Sequence, residues 1–227
     1  METKIISVIV PVLNEESIIE ESLRRLTSLG GDFEVIVVDN GSTDGSFRLA
    51  SQWARTITSP PGRGPALNAG AACATGSTLL FLHADTALPH GAFYAIEEAM
   101  ADERVVGGSF SISFDGEGWQ PRLVEGMYRL FAAAGYFYGD AAIFVRRATF
   151  DAIGGFKPLA MMEDFDLSLR LRRAGPTVRL QRTVISSGRR WRGQGFLRTV
   201  LVYLAIQGLY LAGVRDARLF KLYRAVR

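Results

Sequence analysis

Carboxylates stand at the ends of apolar runs in this chain. Asp39 closes FEVIVVD, Asp85 follows LLFL in LLFLHAD, and Glu163 and Asp164 are adjacent in MEDFD. Acids so placed suit two kinds of chemistry. One is holding a hard divalent cation such as Mn²⁺ or Mg²⁺ through oxygen, with phosphate and water completing its shell. The other is taking a proton from a hydroxyl. His83 and Asp85 are two positions apart, so on a strand both would project from one face. In open α/β sheets, ligands bind at the carboxyl ends of the strands. Each acid also has a plainer explanation. Asp39 and Asp44 in DNGSTDG suit a turn and a helix N-cap, and His83-Ala84-Asp85 suits a solvated strand end. Glu163 and Asp164 suit the first turn of a helix, whose dipole favours acids. Those explanations would have to coincide several times, which favours a site.

The elements that must position these residues alternate. IISVIVPV (5–12), FEVIVVD (33–39), a short strand near RTITS and STLLFLHAD are β-rich runs. Between them, EESIIEESLRRLTSL (15–29), FRLASQWA, ALNAGAACA and GAFYAIEEAMA have helical character. Continuous apolar strands alternating with helices predict a parallel sheet covered on both faces, an α/β fold. After residue 103, VVGGSFSISFDG alternates and is expected as an antiparallel edge or hairpin strand. QPRLVEGMYRLFAAAG is expected as a helix and DAAIFVRR as a strand. MEDFDLSLRLRRAG is expected as a helix closed by Gly175 and Pro176, and TVRLQRTVISS as a last strand. Neither a dinucleotide fingerprint nor a Walker motif is present: Leu67 stands where GRGPALNAG would need a third glycine.

At 227 residues and 48% hydrophobic content, the chain can form one sizeable core or a domain with an appendage. The single cysteine, Cys73, excludes an internal disulfide. METKIISVIVP has no secretory h-region, so a cytoplasmic address is expected. The net charge of +3 hides an asymmetry. Residues 1–164 carry 12 Lys and Arg against 21 Asp and Glu, whereas residues 165–227 carry 14 against 2. The C-terminal third is therefore expected to meet something anionic.

Taken in order, VIVPVLNEE, VIVVDNGSTDGS, GRGPALNAGA, LLFLHADT, GGF and MEDFDLSLRLRRAG resemble the successive motifs of family 2 glycosyltransferases. The resemblance covers about residues 5–176. It is nearest to a bacterial subgroup whose metal motif reads His-Ala-Asp where most relatives carry Asp-x-Asp. It implies a GT-A fold, with a mostly parallel Rossmann-like sheet, helices on both faces and a helical C-terminal extension. It also implies an inverting enzyme that transfers a sugar from a nucleotide-sugar donor, with UDP favoured, aided by Mn²⁺ or Mg²⁺. By position, Pro11, Asn14 and Glu15 would lie in the loop beneath the nucleotide, and Asp39 would accept from uracil N3–H. Arg63 and Asn68 would flank base and phosphates, as would His83 and Ala84 beside the metal-binding Asp85. Asp164 would be the catalytic base. Asp140, Glu163, Arg190 and Trp191 would serve the acceptor and diphosphate side, the last two in the basic loop SSGRRWRGQG. Ala141 departs from the glutamine expected in that subgroup.

The divisions expected are 1–195 for the transferase and 196–227 for the extension. In the extension, FLRTVLVYLAIQGLYLAGV is apolar nearly all round but falls short of the ~20 residues a span needs. RDARLFKLYRAVR is basic and amphipathic, as interfacial helices are. A buried helix, a homodimer surface or a peripheral contact with the cytoplasmic membrane face, serving a lipid-linked acceptor, all fit this pattern. No nucleic-acid partner is expected. A metal-dependent nucleotidyltransferase and a catalytically silent nucleotide- or carbohydrate-binding scaffold are the competing functions.

Overall fold

The computed structural model describes residues 6–188 and 196–214, with Leu219 and Leu222. Among them eight strands form one sheet: β1 (Ile6–Val12), β2 (Phe33–Asp39), β3 (Arg55–Thr58), β4 (Thr78–Phe81), β5 (Thr86–Ala87), β6 (Gly107–Phe114), β7 (Ile143–Arg146) and β8 (Thr177–Ser186). Their spatial order is β3-β2-β1-β4-β7-β6-β8-β5. β1 to β4 are mutually parallel where they pair, β7 is antiparallel to β4 and β6, and β8 is parallel to β6.

The β-branched runs explain the covering of both faces. Val8, Val10 and Leu80 pack in one apolar cluster with Leu23 of α1 (Ile19–Thr27) and Phe93 of α4 (Ala92–Met100). Their neighbours in sequence, Ile9, Leu79 and Phe81, pack in a second cluster. It includes Ala66 and Ala71 of α3 (Arg63–Cys73) and Leu167 and Leu171 of α7 (Glu163–Ala174). Period-two alternation thus feeds two cores. The small residues of α3 let it come close: a methyl at Gly70 would collide with Ile9 and Val38.

The register sets the site. Val12 lies opposite Asp39, so β1 and β2 end together, while β4 ends at Phe81 opposite Ile9; being parallel, all three send their following loops to the same end of the sheet.

Two sequence expectations need correction. β6 is an interior strand, bonded to β7 and β8, and the sheet edges are β3 and β5. Two of its serines are satisfied inside the protein. Ser111 Oγ donates to the Leu180 carbonyl (2.9 Å) and Ser113 Oγ to Glu125 (2.6 Å). The first helix begins at Ile19 rather than near residue 15, because Glu15 is held in a turn whose carbonyl accepts from Ile18 and Ile19 N–H. Three short elements had no sequence signal that identified them: β5, a 3₁₀ turn at Gly139–Ala141 and α6 (Arg147–Ala152).

The remaining helices are α2 (Ser46–Ala50), α5 (Trp119–Ala133) and, as the expected C-terminal helix, α8 (Phe196–Leu211). α8 is anchored by one face: Ile206 and Tyr210 are buried with Phe165 of α7 in a third cluster. Leu197, Leu201 and Leu211 of the same helix are exposed. Among the described residues no helix is long and apolar enough to cross a membrane.

Candidate active site

A cleft of about 480 Å³ opens beyond the carboxyl ends of β1 and β4. That volume falls in the range of small-molecule sites. It brings together Pro11, Glu15, Arg63, His83, Ala84, Asp85, Asp140, Glu163 and Asp164, which lie far apart in sequence. Arg190 and Trp191 lie outside the described residues, as does the basic segment 215–227 apart from Leu219 and Leu222.

His83 and Asp85 are not on a strand face. β4 ends at Phe81, and the two residues occupy a turn in which Thr86 N–H donates to the His83 carbonyl (3.1 Å). The turn still delivers both side chains to the cleft, and it starts β5, whose Thr86 Oγ1 bonds Ser186 Oγ at 3.0 Å. His83 Nδ1 pairs with Asp140 Oδ1 at 2.8 Å, and Asp140 Oδ2 accepts from Tyr128 O–H at 3.0 Å. His83 Nε2 is buried without a partner. A methyl on Gly139 would meet both that nitrogen (2.6 Å) and the Arg63 guanidinium, so glycine is what lets these groups meet beneath the 3₁₀ turn.

Asp164 enters the cleft through a sharp bend. Met162, immediately before α7, has φ of 67°, in the left-handed region that side chains rarely adopt. Asn14 (φ 54°) and Ala142 (φ 52°) are the other non-glycine residues of this kind among the described ones; Met162 lines the cleft, and the other two lie close in sequence to the lining residues Glu15 and Asp140. Such strain costs about 1–3 kcal/mol per residue and concentrates at functional sites. Asp164 Oδ2 accepts the Gly139 N–H at 2.7 Å, tying α7 to the 3₁₀ turn. Its neighbour Glu163 is buried against Arg63, with Nε to Oε1 at 3.2 Å. Burial raises the Glu163 pKa, and the Arg63 charge offsets only part of that rise.

Three residues expected at the site do not line the cleft. Asp39 is buried at the end of β2; its Oδ2 accepts from Gly41 N–H (3.2 Å) and Ser42 N–H (3.1 Å), while Oδ1 has no partner. The adjoining Asn40 does face the cleft. Asn14 joins two loops, accepting from Thr43 N–H at 2.8 Å while its own N–H donates to Ser42 Oγ at 2.9 Å. Asn68 clamps the Phe156 backbone, donating to its carbonyl and accepting from its N–H, both at 2.8 Å. In this structure both asparagines hold the loops that shape the site.

One wall escaped sequence analysis. Val124, Met127 and Phe131 of α5 and Val200, Tyr203 and Leu204 of α8 also line the cleft. Tyr138 bridges the two sides: its ring lies 5.0 Å from that of Tyr128 and its hydroxyl is hydrogen-bonded to Gln207. Burial, then the nearby Asp164 charge, raises the Tyr138 pKa far above the ordinary tyrosine value, so it remains a neutral hydroxyl. The lone polar Gln207 in an apolar helix was the available signal that α8 meets polar groups.

Among the described residues no three His, Cys, Asp or Glu side chains converge on one point. A cage made by protein alone is therefore not formed there. The donor set does fit a hard cation that keeps water and phosphate ligands, since such an ion needs one or two carboxylates. Asp85 in the cleft would hold it.

A curled, mostly parallel sheet with acids gathered at its strand ends defines a GT-A-fold protein. The chain belongs to glycosyl transferase family 2, whose model matches residues 7–158. The probable glycosyltransferase YdaM of Bacillus subtilis is 26% identical over 203 residues, covering 77% of this chain and 48% of its own length. The chain thus spans about half of that relative. Two solved structures share the fold. A mannosyltransferase from Pyrobaculum calidifontis, in complex with GDP-Man and Mn²⁺, has a TM-score of 0.67 at 21% identity, over 97% of this chain and 69% of its own. Glucosyl-3-phosphoglycerate synthase from Mycobacterium tuberculosis, in complex with Mn²⁺, UDP-Glc and phosphoglyceric acid, has a TM-score of 0.64 at 23% identity, over 94% and 81%.

Proposed function

We propose that this chain transfers a sugar from a UDP-sugar to an acceptor hydroxyl, with inversion at the anomeric carbon. The observation that carries this is the meeting of Asp85, Arg63 and Asp164 in one cleft. Arg63 and the Asp85 turn serve the diphosphate end, where negative charge grows as the bond to the sugar breaks. A divalent cation bound at Asp85 would neutralise that charge and orient the leaving group. Asp164 takes the acceptor proton. A single carboxylate on the face opposite the leaving group suffices for inversion. The rival reading, nucleotidyl transfer, gains nothing from an acid at Asp164 and is disfavoured by membership of this family.

Asp39, buried next to the cleft-lining Asn40, is the residue we propose to read the base once nucleotide binding opens this end of β2 to it. Its unpartnered, buried Oδ1 is an acceptor able to take a donor, and uracil N3–H is one. Cytosine presents a lone pair at that position, so an acceptor would face an acceptor. Such a mismatch costs about 1–3 kcal/mol, or roughly 5- to 150-fold in affinity. Isothermal titration should therefore find UDP bound more tightly than CDP by that margin. Equal affinities would leave Asp39 as a turn residue only.

The same titration tests the metal. UDP affinity should rise when Mn²⁺ is added, and Asp85→Ala should remove that increment while the melting temperature stays near the parent's. UDP affinity indifferent to Mn²⁺ in the parent contradicts the proposal.

For localisation we favour peripheral contact with a cytoplasmic, anionic membrane face over a homodimer. α8 exposes several leucines and, near its start, Arg198, and the sequence beyond is basic. Each basic residue near such a surface adds about 1 kcal/mol, and this part weakens as salt shortens the Debye length from about 10 Å at 0.1 M. The full chain should float with anionic liposomes at low salt and less at high salt. Failure to float with either anionic or neutral liposomes ends this part of the proposal.

A further inference from the structure

The cleft is divided by chemistry. Arg63, Asp85, Glu163 and Asp164 make part of its lining charged, whereas α5 and α8 contribute a mainly apolar set that includes Val124, Phe131, Val200 and Leu204. The apolar wall is held in place rather than loosely laid there. Ile206 and Tyr210, on a different face of α8, are buried with Phe165, and Tyr210 O–H donates to Asp166 at 2.7 Å. At the start of both helices, the rings of Trp119 and Phe196 meet edge to face at 5.1 Å. Outside the cleft the apolar character continues to the surface through Leu123 and Leu201.

This inference rests on the transferase reading of the same cleft and concerns what the acceptor must be. An acceptor bearing hydroxyls all round would press several of them against Val124, Phe131, Val200 and Leu204, where they would lose water and gain no partner. The polar groups of the α8 wall do not relieve this. Gln207 is engaged with Tyr138, and the single hydroxyl of Tyr203 could meet one such group at most. A body of aryl or alkyl carbon fits the wall, provided its one hydroxyl reaches Asp164.

We propose that the acceptor is an apolar alcohol, lying between α5 and α8 with its hydroxyl at Asp164. In the transfer the acceptor oxygen bonds to the anomeric carbon as the bond from that carbon to the diphosphate oxygen breaks. The hydroxyl proton passes to Asp164, and the electron pair of the broken bond leaves on the nucleoside diphosphate. The same chemistry is presented by a free alcohol or phenol and by a long-chain alcohol in a bilayer.

Titration of the full-length chain with UDP, Mn²⁺ and the series 1-butanol to 1-octanol tests this, with glycerol and glucose as polar controls. Affinity should rise about fourfold for each added methylene until the groove is filled. The polar controls should not bind measurably. Leu204→Gln should weaken 1-octanol about tenfold. Leu211→Gln, at an exposed position outside the cleft lining, should leave the affinity for the soluble alcohols unchanged. Farnesol in neutral phosphatidylcholine vesicles forms a second arm: binding from vesicles alone assigns a bilayer-borne acceptor, and binding of the soluble alcohols assigns a free one. UDP that binds while neither 1-octanol nor farnesol does, or glucose that binds as well as 1-octanol, overturns the inference alone. UDP that fails to bind the parent overturns the donor reading instead.

Discussion

Asp164→Asn should lower turnover by about 10²–10⁴-fold, the effect of removing a positioned base, with UDP affinity close to the parent's. Asparagine keeps the shape and one carbonyl oxygen, so the bond from Gly139 N–H to this side chain, 2.7 Å in the parent, can persist. What it loses is the capacity to accept a proton from the acceptor hydroxyl. Glu163 is a poor substitute base. It is buried and engaged with Arg63 at 3.2 Å, and burial favours its protonated form. Steady-state kinetics alongside UDP titration separates these roles. Should the Asp164→Asn variant retain most of the activity, the acid serves the start of α7 and the base lies elsewhere.

The largest effect on stability is expected at Asp166, within the first turn of the same helix. Its carboxylate accepts from Lys157 Nζ (3.0 Å), Arg170 Nε (2.6 Å) and Tyr210 O–H (2.7 Å). It therefore joins the loop before α7, α7 itself and α8. Asp166→Ala leaves Arg170, a largely buried cation, without its counter-charge, and breaking a buried pair from one side costs about 3–5 kcal/mol. Tyr210→Phe removes a single bond to a charged group and should cost less, about 1.5–3 kcal/mol. Urea denaturation measures both. Burial alone would raise the Asp166 pKa, but hydrogen bonds from Tyr210, Lys157 and Arg170 bring it below the ordinary value of 3.8. Because the folded pKa is the lower one, the stabilisation is present above 3.8 and is lost as pH falls through the folded value. The parent should lose this contribution below pH 3.8, and Asp166→Ala should lack that part of the acid limb. A change under about 1 kcal/mol in Asp166→Ala would mean that α8 is held by apolar contacts alone.

Much of the sheet was legible because its signal is local. Runs such as ISVIVPV and FEVIVVD encode strands, and Asp39 marks the end of one in sequence and in space. Asp85 and Asp164 were legible for the same reason: each follows a break in periodicity where a strand or loop gives way. The His83–Asp85 geometry was not, since a two-residue spacing implies a shared face only while the strand continues, and β4 stops at Phe81. Asn14 and Asn68 were legible as polar loop and helix residues, but their partners, Thr43 and Phe156, lie 29 and 88 positions away. The interior place of β6 depended on where Ser111 and Ser113 found acceptors, at Leu180 and Glu125. The apolar wall was hidden for a related reason: α5 and α8 are far apart in sequence, and contacts through Phe165, Tyr210 and Trp119 bring them to one cleft.

Incubation of the full chain with Mn²⁺ and a panel of UDP-sugars, followed by NMR of the released products, separates inverting sugar transfer from its alternatives. An inverting, metal-assisted transferase should release UDP, suppressed by chelation of the metal, together with a sugar product of the opposite anomeric configuration to the donor. Retention of the donor's configuration, or pyrophosphate release from UTP with no UDP from any UDP-sugar, would contradict it.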